Sequence, residues 1–285
     1  MARLIRSGNP VRESLEAHRV SRRSPHAPPR SSPRRPATVR PTKWVEHLVR
    51  HLSMAREGVD PEGVHQVRVA GRRLRVWLNL GGHRALGDDL RWLVQVLGRL
   101  RDLDVLCALP VGDLGPFAEW LGARRTAAHD EAAEVLGSFR IEGLCRALEV
   151  LPPLKTSKAR AVLGDLEADV AKRSRGWVEA KAWTLPPEAA LEELHRLRRA
   201  LRRVRYGREW LGEPDALLPV VQDVLGAVCD VAALLRLLDA WCAETATAAP
   251  VSRDALLEAL AAMLERAWLE WAALGRAAPP RLRSG

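Results

Sequence analysis

The sequence predicts an all-α fold of two similar helical-bundle halves related by a pseudo-twofold axis, preceded by a disordered tail. Three observations carry that expectation. Apolar residues recur at three- and four-residue spacing from residue 43 onward, as in WVEHLVRHL, LRWLVQVLGRLRDLDVL, FAEWLGARRTAAHDEAAEVLGSF and ALLEALAAMLERAWLEWAAL. Only one Tyr and two Phe occur, and no run of alternating β-branched residues marks a strand. The run HQVRVAGRRLR at 65–75 returns at 195–205 as HRLRRALRRVR.

The elements follow in order. Residues 1–42 contain RVSRRSPHAPPRSSPRRPATVRPT, rich in Pro, Ser and Arg and without apolar periodicity. Such a segment buries too little surface to offset its ordering entropy, so it reads as a basic disordered tail. Its ten arginines against Glu13 and Glu16 give it +8 of the chain's +10, and the remaining 243 residues stand near +2. A basic patch on the folded body must therefore arise by segregation. The tail itself reads either as a solvated linker or as an electrostatic arm for a polyanion.

The helical domain is expected over 43–275, with halves at about 43–150 and 151–275 and a short C-terminal tail at 276–285. Gly- and Pro-bearing breaks fall at DPEG (60–63), LGDD (86–89), LPVGDLGP (109–116), LPP (151–153) and LPPE (185–188). They divide the domain into eight to ten helices packed as bundles. Cys107, Cys145, Cys229 and Cys242 are scattered without a CxxC pair, which fits a reducing cytoplasm better than a disulfide framework. MARLIRSGNP lacks the apolar core of a signal peptide, and no stretch approaches 18 uncharged apolar residues, so neither export nor a membrane partner is expected.

The repeat extends beyond the histidine runs. VLGRLRD at 96–102 returns as VLGAVCD at 224–230, so each His-xx-Arg-xxx-Arg-Arg-x-Arg helix precedes a Leu-Gly-xxx-Asp helix. At about 100° per residue, Arg68, Arg72 and Arg75 fall near 300°, 340° and 280° from His65, one stripe about 80° wide. Val67, Gly71, Leu74 and Leu78 form the opposing stripe that packs on the core. The second run places His195, Arg198, Arg202 and Arg205 together in the same way, with Leu194, Leu197, Leu201 and Val204 buried and Tyr206 beside the basic stripe. Arg73 and Arg203 point elsewhere, and Arg72 and Arg202 are expected to face solvent. A row of like charges one turn apart costs a helix a few tenths of a kcal/mol per pair. Keeping such a row twice, in register, asks for a compensating anion, in line with a pI near 10.4.

These motifs resemble the CHAD family, the conserved histidine α-helical domains. The matching segments are VHQVRVAGRRLR (64–75), LGRLRDLDVL (97–106), LHRLRRALRRVRY (194–206) and VVQDVLGAVCDVAALL (220–235). Weaker likenesses lie in LGSFRIEGL (136–144) and AWLEWAALG (267–275), so the resemblance runs from about 43 to 275. It implies a helical domain of two similar halves that binds inorganic polyphosphate in a basic central groove or pore, with association to polyphosphate granules. By motif position, the implied binding residues are His65, Arg68, Arg72, Arg73, Arg75, His195, Arg198, Arg202, Arg203, Arg205 and Tyr206. Cys229 stands where the first half has Arg101, which makes Arg101 a secondary candidate. Lys155, Lys158, Lys172, Arg173 and Arg175 form a further basic stretch that would rim the groove.

Polyphosphate carries about one charge per phosphate and no bases, so repeated forked donors suffice to hold it. Nucleic acid, recognised through the same basic face and the tail, is the alternative partner. It usually requires exposed stacking aromatics, whereas Trp77, Trp92 and Trp120 fall on apolar stripes. Asp102 and Asp230, ending the paired Leu-Gly helices, read first as tethers for arginines and second as carboxylates that would help a metal balance bound phosphate. His47 and His51 lie four residues apart but lack a third ligand, so no metal or other cofactor is expected. Neither an ExExK signature, a GxxxxGK loop nor a nucleophile–base spacing occurs, so a binding module without catalysis is expected.

Overall fold

The structure, a computed structural model, describes residues 37–108, 115–179, 187–246 and seven positions between 258 and 269. The expected terminal helix and the two tails fall largely or wholly outside the described residues. Among those described, eight helices carry the fold. They are α1 (Thr42–Glu57), α2 (Pro61–Gly81), α3 (Ala85–Cys107), α4 (Pro116–Leu136), α5 (Phe139–Glu149), α6 (Thr156–Glu179), α7 (Pro187–Trp210) and α8 (Leu217–Thr245).

The local sequence sets the helix ends. Asp60 caps α2 by accepting a hydrogen bond from the Glu62 amide at 2.8 Å, with Pro61 in the first turn. Gly82 closes α2 at φ +76°, a left-handed conformation that suits glycine. The second break therefore lies at Gly82–Arg84, not at LGDD, and Asp88 belongs to the first turn of α3. Acidic residues there favour the positive end of the helix dipole.

A two-residue antiparallel ladder joins β1 (Thr38–Val39) to β2 (Leu154–Lys155). Trp77 donates its indole N–H to the Val39 carbonyl at 3.3 Å, and Thr156 donates to Ala37. Residues 37–42 thus belong to the folded body although their composition matches the tail. Backbone pairing needs no apolar periodicity, so composition does not register it.

The helix with the first histidine run lies at the centre. α2 packs on α1 and α3 of its own half and on α6 and α7 of the other. α3 packs on α4 and α8, and α7 on α6 and α8. The apolar stripes expected on α2 and α7 are both buried, from Val67 and Leu74 to Leu194 and Leu201. At Gly71 an added Cβ would lie 2.8 Å from Val94, so glycine allows the close approach of α2 to α3. α8 differs from the sequence expectation, because by length and composition it is apolar enough to cross a membrane. Half of its most apolar stretch is buried, and it packs on α3, α4 and α7.

Candidate functional site

Packing of α2 on α7, and of α3 on α8, brings the two repeats to one place. Arg68 and Arg72 of the first run lie within electrostatic reach of Arg202 and Arg198 of the second. The pattern is reciprocal. Arg68 acts on Arg202, and the residues 130 positions removed from this pair, Arg198 and Arg72, act on each other. Arg72 and Arg202, equivalent to one another, repel each other electrostatically.

These side chains are not solvent-facing, as helical geometry alone suggests. Arg68 is buried, at 8% exposure, and Arg72 and Arg202 are partly buried. Burial first, then Arg68 and Arg198, pushes Arg72 down to about 10, against the opposing effect of Tyr206 and Asp102. Burial first, then Arg72 and Arg198, pushes Arg202 down to about 9. Arg68 is lowered by burial, with Asp102 opposing and Arg202 and Arg101 adding repulsion.

Little carboxylate offsets this charge. Arg68 pairs with Asp102 at 3.5 Å, and no carboxylate among the described residues lies within ion-pairing distance of Arg72, Arg198 or Arg202. Asp230, the counterpart of Asp102, is raised by burial and by Asp102 and lowered by Arg198. Two donors at the site lack acceptors: Arg68 Nε and Gln222 Nε2 are buried without a hydrogen-bond partner among the described residues. Buried donors left in that state normally point to a missing acceptor.

Both histidines join the cluster. His65 is lowered by burial and by Arg101, Arg72 and Arg68, with Glu62 opposing. His195 is lowered by burial and by Arg236, Arg198 and Arg199, with Asp102 opposing. The two halves differ at the position where sequence departs from symmetry. Arg101 acts on His65, whereas Cys229 Sγ lies 3.3 Å from His195 Nδ1.

The Leu-Gly helices seat the arginines. Arg68 Nη1 reaches the Gly98 carbonyl at 3.5 Å, and Arg198 Nε reaches the Gln222 carbonyl at 3.5 Å. A Cβ added at Gly98 would lie 3.6 Å from Arg68 Nη2, and one at Gly226 would lie 3.1 Å from Arg198 Nη2. The repeated Leu-Gly was visible in the sequence, but its role as the floor beneath an arginine was not. Gln222 and Arg236 carried no signal, since neither has a like residue in the first half.

The remaining motif residues are held by other protein groups, some of them beside the cluster. Arg73 lies 4.3 Å from the rings of both Trp44 and Tyr206 and pairs with Glu209 at 2.9 Å. Arg205 pairs with the same Glu209 at 2.9 Å and donates to Gln222 Oε1 at 3.2 Å. Tyr206 is buried between them, so this trio locks α7 onto α1 and α2. Arg75, at the end of the stripe, is lowered by burial, Arg91 and Arg203, with Asp88 opposing, and Arg203 lies 3.9 Å from Asp169.

Among the secondary candidates, only Arg101 joins the cluster. Lys158 Nζ donates to the Gly81 carbonyl at 3.1 Å, and Arg173 pairs with Asp169 at 3.0 Å. Lys155, Lys172 and Arg175 are exposed. His47 and His51 are engaged with Gln66 and the His47 carbonyl. Trp77 is buried as expected, whereas Trp92 and Trp120 are partly exposed beneath Arg140 and Arg124.

Comparison with known proteins agrees with this architecture. The chain is similar to the crystal structure of the CHAD domain from the plant Ricinus communis, at 26% identity and a TM-score of 0.59, covering 90% of this chain and 94% of that one. It also shares its fold with PptA from Streptomyces chartreusis, at 21% identity and a TM-score of 0.60, covering 80% and 96% of the two chains. No curated protein matches. The CHAD domain family model matches residues 42–239, ending before the terminal Trp-bearing segment that the motif reading included. With both histidine-led helices inside that match and meeting at one arginine cluster, the chain belongs to the CHAD family.

Proposed function

We propose that the chain binds inorganic polyphosphate without catalysis, through the cluster of Arg68, Arg72, Arg198 and Arg202 flanked by His65, His195 and Arg101. The observation that carries this reading is the set of half-buried guanidiniums from two repeats converging with too few carboxylates to neutralise them. A cluster that repels itself in the free protein has its most favourable state with an anion bound. The buried donors of Arg68 and Gln222 then gain phosphate oxygens as acceptors. The reciprocal electrostatic effects among the arginines are in keeping with a pseudo-twofold relation between Arg72 and Arg202, which suits a ligand whose repeating unit looks alike in both directions.

Nucleic acid is the lesser reading. A half-buried cluster favours a thin, flexible chain over a duplex, and Arg73, Arg205 and Tyr206 hold each other rather than presenting a stacking face. The reading further assigns a cytoplasmic location, at polyphosphate granules. Competition between long-chain polyphosphate and single- or double-stranded DNA, at matched phosphate concentration, tests the choice. Polyphosphate should win on the full chain and on a chain lacking residues 1–36. Preference for DNA, or loss of binding with the tail, would overturn it.

A further inference from the structure

Near the arginine cluster lies an open-mouthed cavity of about 470 Å³ between α3, α4 and α8. Its size falls within the range of small-molecule sites, and its walls have the composition of such sites, mostly apolar with a few polar groups. Leu103, Leu106, Ala128, Ala233 and Leu237 supply the apolar surface. Arginines stand around it, in two different states. Arg99 is neutralised by Glu131, and Arg124 by Glu244. Arg236 is exposed and has no carboxylate within ion-pairing distance among the described residues.

Two residues link the cavity to the cluster. Asp102 lines the cavity and also pairs with Arg68 at 3.5 Å. Arg236 lines it and acts electrostatically on His195 and Cys229. A bare phosphate chain has no use for apolar walls, since it would lose hydration there without gaining any partner. An anion with an apolar body uses both parts of the site.

The geometry points to nucleoside triphosphates as ligands, with the base and sugar in this cavity and the triphosphate running past Arg236 into the Arg68–Arg72–Arg198–Arg202 cluster. This rests on the anion-binding reading of that cluster. Arg236 is the hinge of the arrangement, because it lines the cavity, acts on the cluster's His195, and pairs with no carboxylate among the described residues. The Leu and Ala walls read no base edges, so adenine and guanine nucleotides should bind alike.

Calorimetry on the full chain with ATP and with inorganic tripolyphosphate, without divalent metal and at equal ionic strength, separates the two contributions. Both ligands carry three linked phosphates, so the cluster binds each, and burying about 60 Å² of apolar nucleoside surface makes ATP about tenfold tighter. Ala233→Phe, which fills the cavity, should bring ATP down to the level of tripolyphosphate and leave tripolyphosphate unchanged. The comparison on the unsubstituted chain decides the matter even if that variant fails to fold. ATP binding no tighter than tripolyphosphate overturns the cavity assignment while leaving the anion site intact, as does an equal loss of both ligands in folded Ala233→Phe. Failure of both ligands to bind the unsubstituted chain removes the anion site and the nucleoside site together.

Discussion

Replacing Arg202 with methionine should make the free protein more stable and a poorer anion binder at once. Burial and the neighbouring Arg72 and Arg198 hold Arg202 down to about 9, well below the ordinary guanidinium range. That displacement corresponds to about 5 kcal/mol of destabilisation of the charged form. Methionine keeps most of the aliphatic stem and removes the charge, but it also gives up the contacts of the guanidinium. We therefore expect a net gain of about 2 kcal/mol, or a melting temperature raised by about 4–8 °C for a body of this size. Because the folded value lies below the unfolded one, the penalty in the parent is fully present below about pH 9 and is relieved as pH rises above it. The advantage of Arg202→Met should therefore be largest near neutrality and shrink above pH 9. Losing one charge-assisted contact should weaken polyphosphate binding by roughly 10- to 100-fold at low salt. Scanning fluorimetry across pH, with and without polyphosphate, reads both quantities. A variant that melts below the parent while retaining its helical circular dichroism would refute the claim that the cluster is self-repelling. Undiminished affinity would refute the claim that it is the site.

Three further outcomes follow from the same geometry. Log affinity for polyphosphate should fall linearly with log salt, and Arg68→Met or Arg198→Met should each flatten the slope by about 0.7, the value for one single-strand phosphate contact; an unchanged slope would place those arginines outside the contact. His65 and His195 both titrate below 6.5 in the free protein, so their contribution to its stability is lost as pH falls below 6.5 through the folded values, and a bound anion must raise them. Affinity should accordingly climb between pH 7.5 and 5.5, and His65→Gln with His195→Gln should remove that climb. Gly98→Ala should add about 1 kcal/mol of helix stability without affecting binding, whereas Gly226→Ala, crowding Arg198 at 3.1 Å, should weaken binding several-fold as measured by titration calorimetry.

Amphipathic periodicity fixed the helices, because which face of an isolated helix is apolar follows from residue order alone. Val67, Leu74, Leu194 and Leu201 are buried as their spacing required. The duplicated His-Arg runs likewise marked the two helices that meet at the centre. What residue order lacked was any measure of which arginine would find a carboxylate. Arg73 and Arg205 share Glu209, a residue from the end of α7 whose reach across to α2 depends on how the helices pack. Arg72 and Arg202 have no such partner and are driven together from sites 130 residues apart. Helical geometry also treated the basic stripe as an outer surface, whereas the packing of α2 on α7 and α3 on α8 encloses it. Burial of a charge and its distance to other charges are properties of helix–helix packing. The sequence by itself therefore determined the elements, the repeat and the kind of residue at the site. Only the tertiary structure decided which arginines are structural locks and which form the half-buried, uncompensated cluster that an anion can stabilise.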